Sequence, residues 1–261
     1  TVDGAIASGG AVAAVLIISG CNAWVALVAA FVVGMLTGLV TGVFHTWMGI
    51  PAILSGILTQ LALYSINLGI MSNKANTAVN ANKYDLLVSL RNVRNFSLDN
   101  PILLLLMITA AVIALLYWFF GTELGTAIRA TGCNSQMARA QGVNTNSMIV
   151  LGLLISNALV ALSGALVCQA NGFADVGMGT GTIVIGLASV IIGEVLFGTR
   201  SFKNCLISVI LGSIVYRLVI AIVLQLGMPP NDLKLFTAIL VAIALSMPLI
   251  REKWRARKSA L

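Results

Sequence analysis

The sequence predicts an all-α, polytopic transmembrane bundle, and three observations lead there. Apolar stretches of about 20 residues recur along the chain, the length a helix needs to cross roughly 30 Å of hydrocarbon at 1.5 Å per residue. Charged residues make up 9% of the chain and hydrophobic ones 59%, with a mean hydropathy of +1.02. A soluble domain carries roughly 25% charged residues, so bilayer hydrocarbon is the solvent that suits this composition. The apolar runs are also continuous rather than alternating, which argues for helices over the strands of a barrel.

About eight spans follow in order. Helices are expected near Ala5–Ser19, Ala23–Val43, Pro51–Met71, Pro101–Phe120, Ser147–Gln169, Thr182–Phe197, Cys205–Leu226 and Leu233–Ile250, all within one transmembrane domain, 1–261. Pro51 and Pro101 stand at first turns, where the missing N–H costs nothing. The run "GMPPND" separates the last two spans, as proline and glycine should. The first span is short for a crossing, and the chain opens with Thr1 without the basic segment of a signal peptide. A further hydrophobic helix is therefore expected ahead of Thr1.

Two polar breaks interrupt the grease: 72–100 and 121–146. In the second, Asn134 is a good N-cap for "SQMARAQ", and Gly142 is placed for a left-handed C-terminal cap. A helix of about two turns is too short to be stable alone in water. Ala138 and Ala140 keep its profile low, while Gln136 and Arg139 supply polar contacts. Two readings stand: a solvated loop carrying an interfacial helix, or a small knob that docks into another protein.

Basic residues set the orientation. Placing 121–146 in the cytoplasm puts Arg129, Arg139, Arg200, Lys203 and the basic tail "REKWRARKSAL" on one side. The other side then holds Lys74, Lys83, Arg91, Arg94 and Lys234, and the bias towards the inside supports the assignment. The discordant charges lie in the long 72–100 loop, where they carry less weight in that rule. Its run "KYDLLVSLRNV" has apolar residues at helical spacing. The net charge of +7 reads as membrane orientation and attraction to lipid, not as nucleic-acid binding.

Few polar residues lie inside the spans. Gln60, Tyr64 and Asn67 follow one stripe of the third helix, and facing lipid would be costly for them. They either line a wet pathway or bond a neighbouring helix. Arg217 stands about 12 residues into its helix, roughly 18 Å deep, where insertion costs at least ~2.5 kcal/mol without a cavity or partner. Glu194, four residues before Gly198, is close enough to the helix end for a structural role. Gly34 and Gly38 have GxxxG spacing, read first as close packing and second as a dimer contact.

Catalytic readings fare badly. His45 is the only histidine, Cys21, Cys133, Cys168 and Cys205 lack metal-ligand spacing, and no nucleophile elbow or paired carboxylates occur. The chain has no G-x-x-x-x-G-K-[ST] loop, and "GMGTGT" precedes a membrane helix. A self-sufficient secondary transporter would be expected to carry ion-coupling carboxylates at the midplane.

"AIRATGCNSQMARAQGVN" resembles the cytoplasmic loop of ATP-binding-cassette importer permeases of the branched-chain amino acid and ribose type. The shared pattern falls on Arg129, Ala130, Gly132, Asn134, Ala138, Arg139 and Gly142. "IVIGLASVIIGEVLFGTRS" is a second matching block. "TVDGAIASGGAVAA", "GILTQLALYSINLGIM" and "PPNDLKLFTAIL" are similar to a subgroup linked to amino-acid uptake, including aromatic amino acids.

The resemblance implies a permease, not an enzyme, in a bacterial inner membrane, with the 121–146 loop and the C-terminus cytoplasmic. Two permease copies would form the pathway, two ATPase subunits would bind ATP and Mg beneath, and an external binding protein would deliver the solute. The helix around Asn134–Gly142 would be the coupling helix, and the chain itself would hold no cofactor. The loop 72–100 and "ANGFADVGMGTG" with Asp175 would face the binding protein. A sugar or nucleoside is the alternative solute.

Overall fold

The computed structural model describes residues 1–80, 84, 86–88, 100–198, 201–225, 239, 242 and 246. Seven of the expected apolar helices are there. They are α1 (Val2–Ile18), α2 (Ala23–Thr46), α3 (Ala52–Ile70), α4 (Pro101–Phe119), α7 (Thr145–Asn171), α8 (Thr182–Phe197) and α9 (Phe202–Gln225). Five of these, α2, α3, α4, α7 and α9, are long and apolar enough to cross a membrane, while α1 and α8 are shorter. The span expected near Leu233–Ile250, the basic tail and most of "KYDLLVSLRNV" lie outside the described residues.

Three elements were not anticipated. The 121–146 break holds two helices rather than one, α5 (Glu123–Cys133) and α6 (Ser135–Ala140). Two short strands, β1 (Asn76–Ala78) and β2 (Phe173–Asp175), pair antiparallel with Thr77 opposite Ala174. Neither strand is long enough to leave a period in the sequence.

The chain divides into two compact units, 1–180 and 181–261. In the first, α1 is the buried centre, packed on α2, α3 and α7. Its sequence "VDGAIASGGAVAAVLII" explains this, because small residues let other backbones come close. A methyl group on Gly9 would overlap the Ala161 carbonyl of α7, and one on Gly164 would overlap the Ile6 carbonyl of α1. The α2–α7 contact follows the same logic. A Cβ on Gly34 would meet Ala161 Cβ at 2.6 Å and Ala158 Cα at 2.7 Å, and one on Gly38 would meet Leu154 Cα at 2.7 Å. The GxxxG pair therefore serves packing within one chain rather than a contact between copies.

Hydroxyls finish the join between α2 and α3. The Thr41 and Thr59 oxygens lie 3.1 Å apart, and each is 2.9 Å from the carbonyl four residues back, Thr37 and Ser55 respectively. Reaching back to its own helix keeps each hydroxyl satisfied in a dry setting, so a polar side chain can be buried at little cost.

The second unit has as its described helices α8 and α9, packed on each other. Gly193 and Gly212 allow contact down to the backbone, with Gly193 against Ser208 and Gly212 against Ser189. Ala188 and Tyr216 form its small core, and Ser208 Oγ donates to the Gly198 carbonyl at 2.9 Å.

Candidate functional site

The α5–α6 segment is built by its caps. Thr122 accepts from the Gly125 amide to start α5, and close passage of Gly125 beside the Phe119 carbonyl turns the chain off α4. Asn134 both ends α5 and begins α6, its side chain accepting from the Met137 amide at 3.0 Å. Six residues later the helix stops. Gly142 takes φ +81°, its amide donates to Arg139, and the Val143 amide donates to Ala138. That pair of bonds is a Schellman motif, which satisfies carbonyls that a helix end otherwise leaves open. Both caps read from the sequence, Asn134 and Gly142, are in place.

Packing then orients the knob. Ala138 is buried, and Arg139 Nη2 donates to Thr145 Oγ1 at 2.9 Å, tying α6 to the first turn of α7. Arg139 thus makes a contact inside the chain that the sequence reading did not assign to it. Arg129, Asn134, Gln136 and Arg139 are all exposed. So is Met137, at 63%. An unbranched thioether is well suited to fill an irregular cleft on a partner. The sequence does not single out Met137, because a lone methionine in a short helix shows no period.

The α3 stripe does not share one environment. Asn67 is 1% exposed and its Nδ2 lies 3.5 Å from the Gly4 carbonyl of α1, while its Oδ1 has no partner. Gln60 is half-buried, and Tyr64 is 56% exposed. The polar residues that do line up on the buried face are Ser55, Thr59 and Asn67. With the buried Leu63 they recur every four residues, so the buried face winds slowly around α3 and leaves Tyr64 outside it.

In the second unit, Glu194 and Arg217 are both exposed. Helix α9 begins at Phe202, three residues earlier than expected, which sets Arg217 about 22 Å along it. Gly193 packs at Ser208 and Ala188 packs with Tyr216, so Glu194 and Arg217 are offset by about 10–15 Å along the helix pair. His45 does turn work: its Nδ1 donates to the Ile50 carbonyl at 2.9 Å across the α2–α3 turn. All four cysteines are free.

Helix α7 relates the two polar regions. It runs 27 residues without proline, about 40 Å, from Thr145 beside α6 to Asn171 beside β2. The 121–146 segment and the β1–β2 ribbon therefore sit at opposite ends of one rod, as two faces of a bilayer require. The ribbon in turn draws the start of the long loop onto the segment holding Asp175.

Comparison with known proteins agrees with this arrangement. Residues 1–245 match the family model described as branched-chain amino acid transport system / permease component. The chain is 41% identical over 239 residues to a tyrosine transport system permease protein of Clostridioides difficile (strain R20291), covering 92% of this chain and 78% of that one. An uncharacterized protein of Rickettsia prowazekii (strain Madrid E) is 33% identical over 250 residues, covering 94% and 86%. The autoinducer 2 import system permease protein LsrC of Yersinia pestis (strain Pestoides F) is 30% identical over 204 residues, covering 77% and 54%. No solved structure gives a significant match. With a helical bundle, membrane-length spans and a family match across nearly the whole sequence, the chain belongs to the branched-chain amino acid transport system permease family and is the membrane permease subunit of an ATP-binding-cassette importer.

Proposed function

We propose that this permease imports an amino acid, with an aromatic one favoured, and that α6 is the surface through which a separate ATPase drives it. The observation that carries the second part is the construction of α6. A six-residue helix has no stability of its own, yet it is capped at both ends, bonded to α7 through Arg139 and Thr145, and presents Met137 to its surroundings. Such a rigid small projection suits a cleft on another protein.

In this reading the α6 end faces the cytoplasm of a bacterial cell and meets an ATPase that binds ATP and Mg. The ribbon end faces outward, where a binding protein delivers the solute. Two copies of the chain enclose the pathway. Closure of the ATPase pair pushes on α6, and α7 carries the displacement because Arg139 and the Schellman turn leave little play between them. Tyr64 and Gln60 are the candidates of α3 for lining the path, and Arg217 is the candidate of α9; Asn67 joins them once α1 and α3 part. Glu194 keeps a structural role beside the Gly193 contact.

The tyrosine permease relative supports the aromatic choice. A sugar or nucleoside is the second reading, and the autoinducer 2 permease relatives are why a solute other than an amino acid is kept. The test is reconstitution of the permease with its ATPase and binding protein in liposomes, with labelled tyrosine as probe. ATP-dependent uptake is expected. ATP-dependent uptake of labelled ribose with none of labelled tyrosine would replace the solute, and uptake by the permease alone in an ion gradient would replace the mechanism.

A further inference from the structure

The outer end of α7 holds a bond that the pathway and the coupling surface do not use. Gln169, two residues before α7 ends, is 1% exposed. Its Oε1 accepts the backbone amide of Leu87 at 3.1 Å, across 82 residues of sequence. Its Nε2 is buried without a partner. A glutamine kept in an apolar core with half of its amide unsatisfied is costly, by roughly 1–3 kcal/mol for the orphaned group. Leucine or methionine at this position would avoid that cost, so the bond to Leu87 must be worth keeping.

Its surroundings show what the bond holds. The Val79 amide donates to the Gly172 carbonyl at 2.8 Å, the Val176 amide donates to Ala75 at 3.0 Å, and β1–β2 pairing lies between them. Val79, Met71, Ala174 and Val176 enter the same core as Ala165 and Cys168 of α7, with Leu86 and Leu87 packed against it. The ribbon bonds are backbone to backbone, and they join the long loop to the segment that follows α7. The Gln169 bond differs: among the described residues it is where a side chain of α7 itself grips the long loop. The same helix at its other end is bonded to α6 through Thr145.

We infer that Gln169 is a positioning residue that fastens the outer loop to α7, so that displacement of α6 by the motor is delivered to the outer face of the permease. This rests on the coupling role proposed for α6. Between the two fastenings α7 is stiff. It has no proline, and Gly164 and the Gly34 and Gly38 contacts press it against α1 and α2 along its middle. A stiff rod fixed at both ends moves both ends together.

The experiment is hydrogen–deuterium exchange on the whole permease–ATPase complex, with and without ATP plus vanadate. Two variants cut the same bond from opposite sides: Gln169→Leu removes the acceptor and Leu87→Pro removes the donor. Gln169→Glu keeps an acceptor oxygen and serves as the rescue. In the native complex, nucleotide is expected to change exchange both in 135–143 and in 76–79 with 86–88. In both cutting variants the change at 135–143 persists and the outer change is lost, while Gln169→Glu retains it. Without nucleotide, the Leu87 amide exchanges roughly five- to tenfold faster in Gln169→Leu, as loss of one hydrogen bond implies.

An outer response that persists in Gln169→Leu or in Leu87→Pro overturns the inference, and so does a native complex that responds at α6 alone. If Gln169→Leu does not assemble, Leu87→Pro decides. A native complex with no response at α6 contradicts instead the coupling role on which the inference rests.

Discussion

The α2–α7 contact and the α5–α6 knob are built on opposite plans. Between α2 and α7, glycines bring backbone against backbone. In the knob, polar caps hold a helix too short to stand alone, and its side chains project outward. The difference separates two tasks. The first region stabilises the fold through shape, and the second, in the coupling role proposed for α6, offers its exposed side chains to a partner. Substitutions in the first should therefore change whether the protein exists, and substitutions in the second whether it works.

The largest effect is expected at Gly34. Gly34→Leu drives a side chain into Ala158 and Ala161, and overpacking of this kind costs about 1–3 kcal/mol even where side chains can yield. Here backbone must move, so loss of folded permease from detergent extracts is expected, read by size-exclusion chromatography. A normal yield would show that the α2–α7 contact is looser than described. Next in size is Met137→Asp. Its position is exposed and its amide bond to Asn134 does not involve the side chain, so thermal stability should stay within about 0.5 kcal/mol of native. ATP-dependent uptake is expected to fall at least about tenfold, the equivalent of about 1.4 kcal/mol at the interface.

Smaller effects sharpen the boundary between the two plans. Gly142→Ala forces a side chain into a left-handed backbone conformation, costing roughly 1–2 kcal/mol locally. The expected readout is faster amide exchange in 135–143 with no change in overall unfolding temperature. Asn134→Ala removes one cap and costs about 1 kcal/mol. It should halve or better the stimulation of hydrolysis by the permease while leaving its expression unchanged. If either substitution lowers global stability as much as Gly34→Leu, the knob is part of the core and the contrast fails.

Much of this arrangement was legible in the sequence, for identifiable reasons. Apolar runs gave the helices because length and hydropathy are one-dimensional properties. The caps at Asn134 and Gly142 were legible because a cap is a local event, decided by residues a few positions apart. The stripe at Gln60, Tyr64 and Asn67 was read as one surface because helical geometry puts those positions within one face. Where that face points depends on α1, and the chain set the edge of the buried surface between Asn67 and Tyr64. The ribbon and the Gln169 bond were out of reach for the same reason, since each joins residues separated by about a hundred positions or nearly so. Helix α5 was missed because "ELGTAIRATGC" mixes glycine and threonine into a polar run that reads as loop.

The proposed mechanism requires α6 to be the part of the permease that a cytoplasmic motor touches. The most direct measurement is labelling of a single cysteine placed at Met137 in a chain otherwise lacking Cys21, Cys133, Cys168 and Cys205, in membrane vesicles of known orientation. A membrane-impermeant maleimide should react from the cytoplasmic side alone, and addition of the ATPase should protect the site and permit its cross-linking to that subunit. Reaction from the outer side, or a rate indifferent to the ATPase, would contradict it.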